Sequence, residues 1–327
     1  MTDILSLAAD NLMSPIILSF VLGLGAALGR SDLSIPEAAA KAMSIYLLFA
    51  IGIKGGVSVA DHGLGPDLLA AIVAGVVLSF GLPFVAFALI SALSGLSRID
   101  KAAVAGHYGS ISIVTFVAAS TVLEGQGIHA EGYMVAVAAA MEAPAILAAL
   151  WIVARGGERT DSGGGLMHEI LLNGSIVLLI GSFAIGMITG AEGLARIESF
   201  VVSPFQGVLC LFLLDMGIVA GRGLRQARSA GLGRGAIAFG VVMPPVGAAF
   251  GLAAGLISGL STGGTALMMV LSASASYIAV PAAMRVALPQ ANPSVYLTLS
   301  LGVTFPFNLT LGIPLYVAVA SALTGAA

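Results

Sequence analysis

Two polar, helix-weakening stretches interrupt otherwise apolar runs in this sequence, each near the middle of its run. One reads Gly106-His107-Tyr108-Gly109-Ser110-Ile111-Ser112-Ile113-Val114-Thr115, the other Leu271-Ser272-Ala273-Ser274-Ala275-Ser276-Tyr277. Gly and Ser in the middle of an apolar helix weaken its ladder, and a break there frees backbone N–H groups where no water can reach them. Two such breaks aimed at one point would bind a small anion through N–H groups and helix dipoles, without a cationic side chain. The candidate substrate ligands are therefore Gly109, Ser110, Ile111, Ser112 and Thr115 from the first stretch and Ser274, Ala275 and Ser276 from the second. The competing reading is small-residue helix packing, with the hydroxyls bonded to their own carbonyls.

Few acids lie within apolar runs. Glu142 sits in Met141-Glu142-Ala143-Pro144, and Asp215 in Leu214-Asp215-Met216. A buried acid in a membrane is costly and marks an ion path or a partner. Glu142 is the first candidate for coupling Na+ or a proton, and Pro144 loosens the helix beside it. Asp215 is also a candidate, although pairing with a cytoplasmic-side Arg is the simpler expectation. Thr304 and Asn308, in Thr304-Phe305-Pro306-Phe307-Asn308, could complete an ion site with oxygen ligands. No organic cofactor is implied. Met167-His168-Glu169 has no second His one turn on, and no nucleotide-binding Gly-rich signature is present. A hydrolase would need a base beside its Ser, and only His107 lies near one.

The elements that must position these residues are membrane helices. Of 327 residues, 58% are hydrophobic and 9% charged, against roughly 25% charged in a soluble domain. Nothing favours nucleic acid as a partner, and the single cysteine, Cys210, allows no disulfide within the chain. The sequence predicts an all-α polytopic membrane protein with about ten transmembrane helices. They fall near 13–29, 36–56, 67–94, 102–122, 133–154, 170–190, 199–221, 235–258, 265–286 and 294–322. The third and tenth are long enough to tilt or break. Met1-Thr2-Asp3-Ile4 lacks the basic start of a cleaved leader, so the first run is read as a retained helix.

Charge supports this count. Ten helices place eleven of the 13 Lys and Arg residues on one side, from Arg30 through Arg285, and leave only Lys54 and Arg196 on the other. Basic loops face the cytoplasm, so both termini are expected on the non-cytoplasmic side of the plasma (inner) membrane. The densest group, Arg222, Arg225, Arg228 and Arg234, suits anionic lipid or, alternatively, a cytoplasmic regulator.

The chain also repeats itself. Gly52-Ile53 with Gly56 recurs as Gly217-Ile218 with Gly221, Ser94-Gly95 as Ser258-Gly259, and Ser110-x-Ser112 with Ala118-Ala119 as Ser274-x-Ser276 with Ala282-Ala283. Two halves of five helices, 1–160 and 161–327, must enter the membrane from opposite sides. That is the inverted-repeat plan with interrupted helices and a midplane site.

These motifs, in this order, resemble the sodium-dependent bicarbonate transporter family of the cyanobacterial type. Further points of likeness are Ser14-Pro15, Leu33-Ser34-Ile35-Pro36, Lys54-Gly55-Gly56, Leu123-Glu124 and Ala291-Asn292-Pro293-Ser294-x-Tyr296. The resemblance implies Na+-dependent bicarbonate symport by alternating access, core and gate domains each drawn from both repeats, a homotrimer, and a PII-like cytoplasmic regulator. The sequence departs from the family in having Tyr277 where an acid stands, and only a short loop at 155–169. A carrier of another small anion or carboxylate is the alternative. An intramembrane enzyme or a structural membrane protein is the alternative from outside transport.

Overall fold

The computed structural model describes residues 13–62, 65–155, 174–226, 232–277, 280–281, 284 and 288–325. All of its regular elements are helical. In chain order they are α1 (Pro15–Leu28), α2 (Glu37–His62), α3 (Pro66–Leu93), α4 (Arg98–Gly109), α5 (Ile113–Gly125), α6 (Met134–Ala140) and α7 (Ala143–Ala154). There follow α8 (Gly174–Val201), α9 (Phe205–Gln226), α10 (Arg234–Ile257), α11 (Thr262–Ala273) and α12 (Pro293–Thr324). Among the described residues, eight stretches are long and apolar enough to cross a membrane, counting α4–α5 and α6–α7 as one each, and α1 and α11 are shorter apolar helices. Together these correspond one for one to the ten predicted runs. The predictions for Arg159, Arg228, His168 and Arg285, for the Ala282-Ala283 repeat, and for most of the loop 155–169 fall outside the described residues.

Four helices pair across the two halves of the sequence. α1 packs along α9, and α2 packs along α8. Both contacts are backbone-close because glycines line them. A Cβ on Gly217 would strike the Phe20 carbonyl and one on Gly23 the Leu214 carbonyl, while Gly56 meets the Phe183 carbonyl and Gly186 the Ile53 carbonyl. The repeated Gly52-Ile53/Gly56 and Gly217-Ile218/Gly221 motifs thus line corresponding seams.

The predicted helix 170–190 ends where the structure bends. Gly190, at φ 59° and ψ −162°, divides α8, and a second arm carries the exposed charged residues Glu192, Arg196 and Glu198. That arm comes back to α2, where the Tyr46 hydroxyl donates to the Phe200 carbonyl (2.8 Å). Apolar periodicity could not reveal the arm because its charges end the apolar run.

Predicted helices three and ten, α3 and α12, do not break. α3 runs through Pro83. α12 keeps its course by widening into π-helical turns at Thr298–Thr304 and Asn308–Gly312. Pro306 and Pro314 each lack an N–H and crowd the carbonyl four residues back. A π turn absorbs that crowding without ending the helix.

Candidate functional site

Helices four and nine break where their Gly/Ser stretches predict. α4 ends at Gly109 and α5 begins at Ile113, with Ser110 (φ −85°, ψ 172°) and Ser112 (φ −103°, ψ 106°) extended between them. α11 ends at Ala273, and Ser274 is extended (φ −85°, ψ 164°). The two breaks cross. The Ser112 N–H donates to the Ser274 hydroxyl (2.9 Å), and the Ser276 N–H donates to the His107 carbonyl (2.8 Å). Ser274 passes its own proton to the Leu271 carbonyl at 2.8 Å. Ser110, Ile111, Ser112, Thr115, Ser274, Ala275 and Ser276 are all buried.

The crossing sorts these residues into struts and free groups. Ser112 caps α5, accepting from the Thr115 N–H (3.2 Å) and the Thr115 hydroxyl (2.8 Å). The Ser276 hydroxyl accepts from the Val280 N–H at 3.4 Å. Ser112, Thr115, Ser274 and Ser276 therefore hold the geometry. Gly109 serves packing: a Cβ there would lie 2.7 Å from the Ser79 carbonyl and against the Pro83 ring. Among the described residues, five buried side-chain atoms have no partner: Ser110 Oγ, Ser272 Oγ, Tyr277 Oη, His107 Nε2 and Glu142 Oε2. Buried polar atoms without partners are rare and need a reason. The start of α5 adds donors, because its capping leaves over the N–H groups of Ile113 and Val114.

His107 has a defined tautomer. Its Nδ1 lies 2.7 Å from the Ala103 carbonyl, which only accepts, so Nδ1 carries the proton and Nε2 offers a lone pair. Its ring stacks on Tyr296, centroids 4.4 Å apart. The Tyr277 hydroxyl is directed at Ser112, whose oxygen already serves Thr115, and its ring packs edge-on against Phe305.

The ion-coupling candidates divide. Glu142 lies at a loosened turn between α6 and α7, where the backbone stays in the right-handed helical region but the regular ladder lapses. Ser79 ties this turn to the crossing: its hydroxyl donates to the Met141 carbonyl while its own carbonyl abuts Gly109. Asn308 reaches the crossing directly, donating to the Ala273 carbonyl (2.9 Å) and accepting from the Tyr316 hydroxyl (3.1 Å). The Thr304 hydroxyl donates to the Gly240 carbonyl (2.6 Å), so Tyr108, at 2.6 Å, must be the donor to Thr304. Thr304 is thus a brace between α10, α4 and α12. Asp215 is not brought to the crossing; it is buried on α9, along α1. Arg222 is close enough for its charge to act on the Asp215 carboxylate, as the expected pairing requires, although the hydrogen bonds of the nearby arginines go to backbone carbonyls. Arg222 donates to the Leu33 carbonyl (3.1 Å) and Arg225 to the Ala27 carbonyl (3.0 Å).

Sequence reasoning missed Ser272 as a free hydroxyl and Tyr277 as a group turned toward Ser112. Both lie inside the quoted Leu271–Tyr277 stretch, but only the backbone path shows that Ser274 and Ser276 are occupied while Ser272 is not.

Many helices long and apolar enough to cross a membrane, two of the ten spans interrupted and laced together, define a polytopic membrane protein. Comparison with known families narrows this class. The chain belongs to the Na+-dependent bicarbonate transporter superfamily, whose family model matches residues 15–321. It is a transport protein, not an enzyme. No curated protein matches the chain.

Proposed function

We propose that this chain takes up bicarbonate in symport with Na+, by alternating access around the crossing of the α4–α5 break with the break after α11. The observation that carries this reading is the free, buried Ser110 hydroxyl, two residues before the Ser112 cap at the donor-rich start of α5, with a second free, buried hydroxyl, Ser272, on α11. A small planar monoanion needs several donors and no net counter-charge when helix N–H groups supply the field. Glu142, with one carboxylate oxygen unpartnered, is the coupling-ion ligand. Asn308 sets the position of the break after α11.

Alternating access needs two bodies. The α1–α9 and α2–α8 pairs form the gate, and the interrupted helices with α3, α10 and α12 form the core. Matching serines support the inverted repeat behind this division. Ser97 caps α4 by accepting from the Asp100 N–H (3.1 Å), and Ser261, 164 residues on, caps α11 by accepting from the Gly264 N–H (3.1 Å). The carboxylate of the first cap is Asp100, which also accepts from the Asn292 N–H at 2.8 Å. In the second cap Gly264 replaces the acid, and Glu131 of the other half fills its place, accepting from the Ser261 N–H at 2.7 Å. One capping arrangement thus occurs twice, with the acid in cis and then in trans.

The setting is the inner membrane, with both termini outside. A homotrimer and a PII-like regulator follow from the family resemblance alone. Uptake of labelled bicarbonate into proteoliposomes, with an inward Na+ gradient and with K+ in its place, tests the function. Accumulation only with Na+ supports it. Accumulation that formate or acetate abolishes at equal concentration points to a carboxylate carrier instead.

A further inference from the structure

A cavity of about 230 Å3 opens at the opposite end of the bundle from the Arg222–Arg234 loop, and the crossing does not account for it. Its walls come from both bodies: Lys54 and Ser58 from α2, Thr121 and Glu124 from α5, and Phe205 at the start of α9. Phe116 and Leu267 also line it. Phe116 directly follows Thr115, and Leu267 lies on α11 below Ser272, so the cavity is bounded by the two helices that make the crossing. Lys54 is the only ammonium or guanidinium among the lining residues. Its Nζ lies 3.2 Å from Glu124 Oε1 and 5.5 Å from the centre of the Phe205 ring. The second acid there, Glu131, is committed to Ser261.

An apolar chain with two basic residues expected on this side has placed one of them in the wall of a cavity bounded by the two helices of its crossing. We propose that this cavity is the outer vestibule of the substrate path, and that Lys54, held by Glu124 until an anion displaces it, is the first docking point. The proposal rests on the transport reading above. An ion pair this exposed contributes little to folding, but a fixed charge at a cleft raises the local concentration of its counter-ion. The carboxylate of Glu124 is then a built-in competitor for the incoming anion.

This competition predicts opposite signs. Lys54→Gln should raise the apparent KM for bicarbonate about 3- to 10-fold, Glu124→Gln should lower it, and Lys54→Arg should leave it near the wild-type value. The measurement is Na+-driven uptake into proteoliposomes, on variants checked for monodispersity in detergent. A KM that rises in both neutralising variants, or an unchanged KM in either, overturns the proposal in favour of a structural brace. Wild-type protein that takes up no bicarbonate sinks the transport reading instead. If Lys54→Gln does not fold, Lys54→Met and the Glu124→Gln arm still decide the sign.

Discussion

The Ser112 N–H donates to the Ser274 hydroxyl across 2.9 Å and 162 residues of sequence. One bond thus joins the break of the first half to the break of the second, and it fixes which hydroxyls are left for a ligand.

Ser110 and Ser274 should therefore respond differently to truncation. Ser110→Ala removes an unpartnered hydroxyl. It should leave thermal stability in detergent unchanged and raise the apparent KM by about 10- to 100-fold, the equivalent of ~1.5–3 kcal/mol for a hydrogen bond to a charged ligand. Ser274→Ala strands the buried Ser112 N–H and should cost about 1–3 kcal/mol of stability as well. Paired melting and uptake curves check this. Equal melting losses in both variants would show that Ser110 is a strut too.

Glu142→Gln should weaken Na+ dependence without unfolding the protein, because Oε2 has no protein partner to lose. The half-saturating Na+ concentration for uptake should rise at least tenfold, with the melting temperature held. An unaltered Na+ titration in a well-folded variant removes Glu142 from coupling.

Gly217→Val should disrupt the α1–α9 seam, because any Cβ there meets the Phe20 backbone. Overpacking of this kind costs roughly 1–3 kcal/mol or more. Gly207, on the same helix with nothing within 4 Å of its Cβ position, is the control, and Gly207→Val should purify normally. Similar yields of folded protein from the two variants would contradict the seam.

Single-cysteine labelling in a Cys210→Ser background checks the orientation. A cysteine between Arg222 and Arg234 should react only from the cytoplasmic side. Labelling of that loop by an impermeant reagent in intact cells would invert the topology.

Much of this was legible in the sequence, for physical reasons. Membrane helices are long apolar runs, so their number and the loop charges show directly. The breaks show because Gly and Ser cluster where a spanning helix needs strong helix formers. Glu142 stands out because acids are scarce in such runs. What could not be read was how each hydroxyl spends its bonds. Ser112 and Ser274 have the same side chain as Ser110 and Ser272, and only the crossing of two extended segments commits the first pair and frees the second. The folded-back arm after Gly190 and the π turns around Pro306 were hidden too, since both depend on how a helix accommodates a local fault. Asp215 was legible as a scarce acid in an apolar run, but its place on α9, which packs along α1, follows only from the folded chain.

The most direct test of the central claim is an experimental structure determined with bicarbonate and Na+ bound. The account predicts anion density within hydrogen-bond reach of the Ser110 hydroxyl and the N–H groups of Ile113 and Val114, and a cation at the Glu142 carboxylate. Anion density elsewhere, with Ser110 Oγ bonded to protein, would contradict it.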